Sequence, residues 1–303
     1  MKGMVGVVEN IELLNIETGK TLVLDVISTP DFILDSVDWG VVKGTHYSFK
    51  YVNQNGVYVT GTDLETRNIS ITGWVVANDE NSMENKKSIL NGFFNPEQAI
   101  DLTYKKYALR FLPNSSIKYS NKPKENNEII CKFKVDGLCP DPLFKDKDEQ
   151  KISAANTKAM FHFPLTISNN PNPPGGVVFG LRQPSLIVDI INTGSVSTGM
   201  RIVLKAKGTL ENPKLINAET QEFFRIKKTM QAGEEIIIDT EIGKKKIQGI
   251  LNGNTKNYFK YRDYDSTWLQ LKVGSNLFKY EADQNVENLE VYIYYNNRYL
   301  EVQ

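Results

Sequence analysis

Residues 194–201, Gly-Ser-Val-Ser-Thr-Gly-Met-Arg, come nearest to a piece of chemistry in this chain: they follow an apolar run and carry the glycine interval of a phosphate-cradling loop. The rest of that chemistry is missing. Met200 stands where a lysine must reach the phosphates, and Arg201 where a hydroxyl would hold Mg²⁺. Ile202-Val203-Leu204 then continues as a strand, so no helix N-terminus receives an anion. The segment reads as a turn. Asp146-Lys147-Asp148 and Asp263-Tyr264-Asp265 offer the first two carboxylates of a calcium loop without its glycine and closing glutamate, and read as solvated turns. No G-x-S-x-G elbow, H-E-x-x-H pair or dinucleotide glycine fingerprint occurs. The two histidines, His46 before Tyr47 and His162 between Phe161 and Phe163, read as structural. Cys131 and Cys139 make no disulfide framework and, with so few histidines, no zinc site. The expectation is a protein without catalytic residues, metal or cofactor; a further alternative is a hydrolase built on a converging carboxylate pair.

One aromatic-rich segment could serve a ligand. Tyr258-Phe259-Lys260-Tyr261-Arg262-Asp263-Tyr264 is followed by Trp268, and sugars or bases stack on such rings. Tyr261, Tyr264 and Trp268 are the ligand-stacking candidates, set against the plainer reading that they pack a core and anchor loops. Lys244-Lys245-Lys246 after Gly243 suggests a hairpin tip.

The elements that would position these residues are mostly strands. At about 150 residues per domain, 303 residues make two domains. With 40% hydrophobic and 24% charged residues the chain can build a core, which excludes global disorder. Thirty-six basic residues balance 36 acidic ones, so net charge drives no binding to nucleic acid or anionic membrane. Residues 1–150 hold 17 basic and 21 acidic side chains, leaving 19 and 15 for the remainder, a mild asymmetry of −4 against +4. Glu9 and Glu12 interrupt any secretory h-region at the start, and nowhere do about 18 apolar residues run together to span a membrane. Synthesis in a reducing cytoplasm is expected.

Short β-branched and aromatic runs, punctuated by Gly, Asn, Asp and Pro, predict strands and turns. In the first half these are residues 11–15 and 21–26, joined by a turn in which Gly19 takes positive φ, then 46–51, 57–60 and 67–76. One amphipathic helix is expected over residues 82–91, capped by Asn81 or Ser82 and ended by Gly92, with Phe93-Phe94 joining its core. The pattern breaks at Cys139-Pro140-Asp141-Pro142-Leu143-Phe144, passes into a charged run, an extended stretch at residues 160–165 and a Pro/Gly cluster at 169–176, and resumes as strands. These are expected over 185–191, 200–206, 214–217, 223–226, 235–240, 246–250, 266–273, 276–280 and 289–295, a spacing that suits a two-sheet sandwich.

Taken in order, these segments resemble the distal tail proteins of long-tailed bacteriophages, the hub family of the tail tip. In the first half the resemblance rests on residues 67–73 (Arg-Asn-Ile-Ser-Ile-Thr-Gly), the helix with Lys86-Lys87-Ser88-Ile89-Leu90-Asn91, Leu102-Thr103-Tyr104, Ala108-Leu109-Arg110-Phe111 and the Cys139–Phe144 exit. In the second it rests on Gly208, residues 212–217, residues 233–240, residues 268–276, and the closing 291–295 with Arg298-Tyr299.

The resemblance implies a mainly β fold: a tail-tube-like, ring-forming β domain with one short helix over residues 1–144, a connector over 145–176, and a galectin-like β-sandwich over 177–303. It implies a structural hub of the virion at the distal end of the tail, assembled in the host cytoplasm. Its partners would be its own copies in a six-membered ring, the tail tube protein, the tail-associated lysin or tip protein, and receptor-binding proteins on the outer domains. DNA would pass through a polar lumen without specific binding, which fits the −4 first half. Edges of strands 11–15 or 67–76 would pair between neighbours. The alternative is a module that binds host cell-wall glycans. Galectins use a His-x-Asn-Pro-Arg strand and a Trp-x-x-Glu-x-Arg strand; here Leu210, Asn212, Pro213 and Lys214 replace the first, and Leu271 and Val273 the polar pair after Trp268. A protein-binding scaffold is therefore expected over a lectin.

Overall fold

The computed structural model describes residues 10–26, 31–53, 55–153, 156–159, 180–183 and 187–302. The chain divides into two units: Met1–Lys147 together with Tyr299–Gln303, and Asp148–Arg298 between them.

The first unit holds β1 (Asn10–Asn15), β2 (Thr21–Asp25), β3 (Phe32–Asp38), β4 (Gly44–Phe49), β5 (Tyr58–Leu64), β6 (Arg67–Val76), α1 (Glu80–Phe93), β7 (Ile100–Tyr104), β8 (Tyr107–Pro113), β9 (Lys118–Tyr119), β10 (Ile130–Cys139) and β11 (Phe144–Asp146). Alternation of apolar and polar residues builds a closed barrel. Its strands run in the order β8-β7-β1-β2-β3-β6-β10, and pairing of Gly137 and Leu138 with Pro113 and Leu112 joins β10 back to β8. Odd-numbered β6 residues, Ile69, Ile71 and Val75, point inward with Ile11, Leu13, Leu102, Phe111 and Phe133. Closure corrects one expectation. Strand β1 is paired by β2 and β7, and β6 by β3 and β10, so neither has an edge to offer a neighbour.

The expected hairpin is present, with Gly19 at φ 67°. The helix is longer than its apolar spacing suggested. Asp79 caps it, its carboxylate accepting from the Ser82 amide at 2.8 Å, and Gly92 lies inside it while the chain leaves at Phe94. Met83, Leu90, Phe93 and Phe94 enter the barrel core, and the Asn15 amide donates to the Phe93 carbonyl, satisfying an end group of the helix. No described helix is long and apolar enough to cross a membrane.

The second unit holds β12 (Gln150–Ser153), β13 (Asn156–Ala159), β14 (Gly180–Gln183), β15 (Val188–Asn192), β16 (Arg201–Ala206), β17 (Leu210–Glu211), β18 (Lys214–Asn217), β19 (Phe223–Arg225), β20 (Thr229–Met230), β21 (Glu235–Asp239), β22 (Lys246–Leu251), β23 (Asn254–Asn257), β24 (Gly274–Glu281) and β25 (Leu289–Tyr295). A six-stranded sheet, β12-β25-β16-β21-β22-β23, and a four-stranded sheet, β15-β24-β18-β19, send Ile202, Ile236, Ile293 and Leu215, Phe278, Tyr280 respectively into one core, as a sandwich requires. Residues 266–273, expected as a strand, follow an irregular path touched by one bridge, Thr198 to Leu271. Side-chain anchors hold them instead: Gln270 donates to the Thr240 carbonyl at 2.7 Å, and the Arg225 amide donates to Ser266 Oγ. The chain then returns to the first unit through β26 (Arg298–Tyr299), which lies beside β11. His162, the stretch at 160–165 and the cluster at 169–176 lie outside the described residues.

Candidate assembly surface

Among the described residues, strands β4 and β5 pair only with each other. Their ladder runs from Gly44–Leu64 at the base to Phe49–Tyr58, with a bulge at Thr60 after the Tyr47–Gly61 pair. Alternation puts Thr45, Tyr47 and Phe49 with Tyr58, Gly61 and Asp63 on one face. The Tyr47 phenol donates to Asp63, whose carboxylate raises the phenol's pKa. Phe49 packs edge-on against Tyr51 at 4.9 Å and tilted against Tyr58 at 5.2 Å. On the other face His46 Nδ1 lies 2.8 Å from Thr62 Oγ1. Among the described residues no core lies under either face: Tyr47 is 53% exposed, Phe49 40% and Tyr58 58%. A two-stranded ribbon is marginal in water, and an aromatic face left open marks an interaction surface.

The chemical candidates are occupied by structure. Ser195 donates its amide to the Arg298 carbonyl, Thr198 donates to Leu271, Gly194 donates to the Asn192 side chain, and a Cβ on Gly194 would come 2.5 Å from the Arg298 oxygen. That loop is a packed turn. Asp146 accepts from the Tyr299 hydroxyl, and Asp263, buried, pairs with Lys227 at 2.9 Å, which holds its carboxyl below the usual range. Cys131 and Cys139 are both buried and unpaired; burial pushes Cys139 to about 12. Among the described residues no group of three or more His, Cys, Asp or Glu side chains is placed to hold a metal.

The three stacking candidates have different surroundings. Tyr264 stands 92% exposed. Tyr261 packs on Tyr258 and carries Lys260 at 4.9 Å from its ring centre. Trp268, half-buried against the sandwich core, contacts Phe224 and Phe259, and Lys245 and Arg262 lie 5.5 and 5.6 Å from its centroid. Its ring is thus crowded by four neighbours. Reading the sequence missed the pair beside Tyr258, buried Glu234 with partly exposed Lys228 at 2.8 Å. Burial raises the Glu234 carboxyl, but Lys228, the Gln231 amide and Tyr258 outweigh it and leave it lowered, while Tyr258 is pushed up to about 12 by burial and by Glu234. No local pattern marks two residues six positions apart as partners.

Among curated proteins none matches this sequence. Family models match both units: a phage tail protein RIFT-related domain over residues 14–135, and a siphovirus-type tail component, C-terminal domain, over residues 193–299. Among solved structures, the Dit (gp 19.1) protein of phage SPP1, described as a paradigm of hub adsorption apparatus in phages infecting Gram-positive bacteria, superposes with a TM-score of 0.64 at 13% identity, over 95% of this chain and 98% of that one. The phage P2 baseplate in its activated conformation with Ca gives 0.48 at 9% identity, over 95% and 97%. The fold is shared over 95% of the chain, and two phage-tail models fit it in order. The chain belongs to the siphovirus-type tail component family, the distal tail proteins of long-tailed bacteriophages, and is a structural part of the phage tail.

Proposed function

We propose that this chain closes into a six-membered ring at the end of the tail, joining the tail tube protein on one side to the tail-associated lysin or tip protein on the other, without catalysing a reaction. The β4–β5 ribbon carries this reading. The barrel has spent its own edges in closing, and the ribbon is the segment of the first unit whose faces a second copy would cover. Six is the number the family resemblance brings. The first unit is the ring former, its lumen passing DNA without holding it. The second is a galectin-like scaffold for proteins, receptor-binding proteins among them. Support for a scaffold over a lectin comes from the positions a galectin would use: Leu210 and Leu271 are buried, Lys214 pairs with Glu281, and Asn212 donates to Asp283.

Solution mass measured across a concentration series, with negative-stain images, tests the ring. The expected result is a closed oligomer that Phe49→Asp with Tyr58→Asp converts to a folded monomer. A wild-type chain that stays monomeric at every concentration would sink the proposal. A folded double variant that still forms rings would move the contact away from the ribbon.

A further inference from the structure

Arg67 opens β6, and its side chain is buried in the first unit with no carboxylate among its hydrogen-bond partners. Its guanidinium donates to three carbonyls from three separate stretches of chain. Nε reaches Pro142 at 2.7 Å, one η nitrogen reaches Trp39 at 3.1 Å, and the other reaches Leu300. The plane lies over the Phe144 ring, 4.5 Å from its centroid. Pro142 stands just before β11, where the chain leaves for the second unit, and Leu300 just after β26, where it comes back. The bed beneath is aromatic: Trp39 packs on Phe144 and Tyr104, and Tyr107 on Phe144 and Tyr299. Gly40 fixes the third carbonyl, because its backbone sits at φ +63° so close to Asn68 that a Cβ would come within 1.9 Å of the Asn68 oxygen.

From this arrangement we propose that Arg67 is a positioning residue that pins the outgoing and returning crossings of the chain to the barrel. A buried cation is costly unless its donors are satisfied, and here a planar fork meets three carbonyls that no single strand pairing brings together. Lysine is a point donor on a flexible stem and cannot span them. The inference goes beyond ring formation and does not depend on it.

Native-state hydrogen exchange on the full chain tests it, comparing wild type with Arg67→Lys and Arg67→Met. Protection of the amides at residues 299–302 should fall about tenfold or more in Arg67→Lys, the scale of losing a charged hydrogen bond, while β7 and β8 keep theirs. Unchanged protection at 299–302 would overturn the proposal. So would an even loss across the barrel, the mark of an ordinary core residue. Should Arg67→Met not fold, removal of residues 300–303 supplies the second arm: the pin requires that Arg67→Lys add little to the effect of that truncation on the exchange of residues 144–146, and full additivity refutes it.

Discussion

Asp136 faces Lys134 at 2.9 Å and Lys118 at 3.0 Å on the outside of the barrel, with Ser70 opposite in register. Lys134 first, then Lys118 and Ser70, hold its carboxyl down to about 2 against the opposing effect of partial burial. Since the folded value is depressed, its contribution is fully present above about pH 4, the ordinary aspartate range, and is lost as pH falls toward 2. With the partners half exposed, it amounts to about 1–2 kcal/mol. Asp136→Asn should therefore flatten the fall in thermal midpoint between about pH 4 and 2 and cost stability at neutral pH. An unchanged slope would assign the acid loss to other carboxylates. None of this was legible in the sequence, where Asp136 is one acid among many; the lysine at 118 arrives through pairing of β9 with β10. The Arg67 contacts are equally remote, at separations of 28, 75 and 233 residues.

Elements were legible where their determinants are local. The β1–β2 hairpin follows from Gly19, and α1 from apolar spacing and a polar start. Strands β3, β7, β8 and β10 were harder: β7 has only five residues, β3 shifts register between Leu34 and Ser36, and the apolar alternation of β10 is diluted by Lys132, Lys134, Asp136 and Gly137. Residues 266–273 misled because their apolar alternation suits a strand, whereas their backbone is taken by side-chain anchors. The mistaken ring edges have the same origin. Whether β1 or β6 is an edge depends on whether β7 finds β1 and β10 finds β6, contacts between distant segments. The turn after β3 yields a sharper prediction. Gly40→Ala places a Cβ against the Asn68 carbonyl in left-handed backbone, so it should cost more than about 2 kcal/mol in denaturant unfolding of the barrel. A loss of a few tenths would mean that the 38–41 turn shifts freely, and with it the Trp39 carbonyl.

At the scale of the whole molecule, the second unit is an insertion. The first unit runs to Lys147 and resumes at Tyr299, and the strands on either side of that gap, β11 and β26, are neighbours, with the Tyr299 hydroxyl 3.0 Å from Asp146. Replacing residues 148–298 by a short turn should therefore leave a folded barrel with a single cooperative transition, read by circular dichroism and by hydrogen exchange at β6 and β10. A molten or insoluble product would show that the barrel needs its guest. The breaker clusters suggested two domains, but the return of the last residues was not legible, because nothing in Tyr299-Leu300-Glu301-Val302 differs from an ordinary frayed tail. That adjacency makes the seam a socket. Lineages that exchange one cargo for another there should diverge throughout the intervening stretch, in length as well as in sequence, yet retain the arginine and the aromatic residues around both cut points.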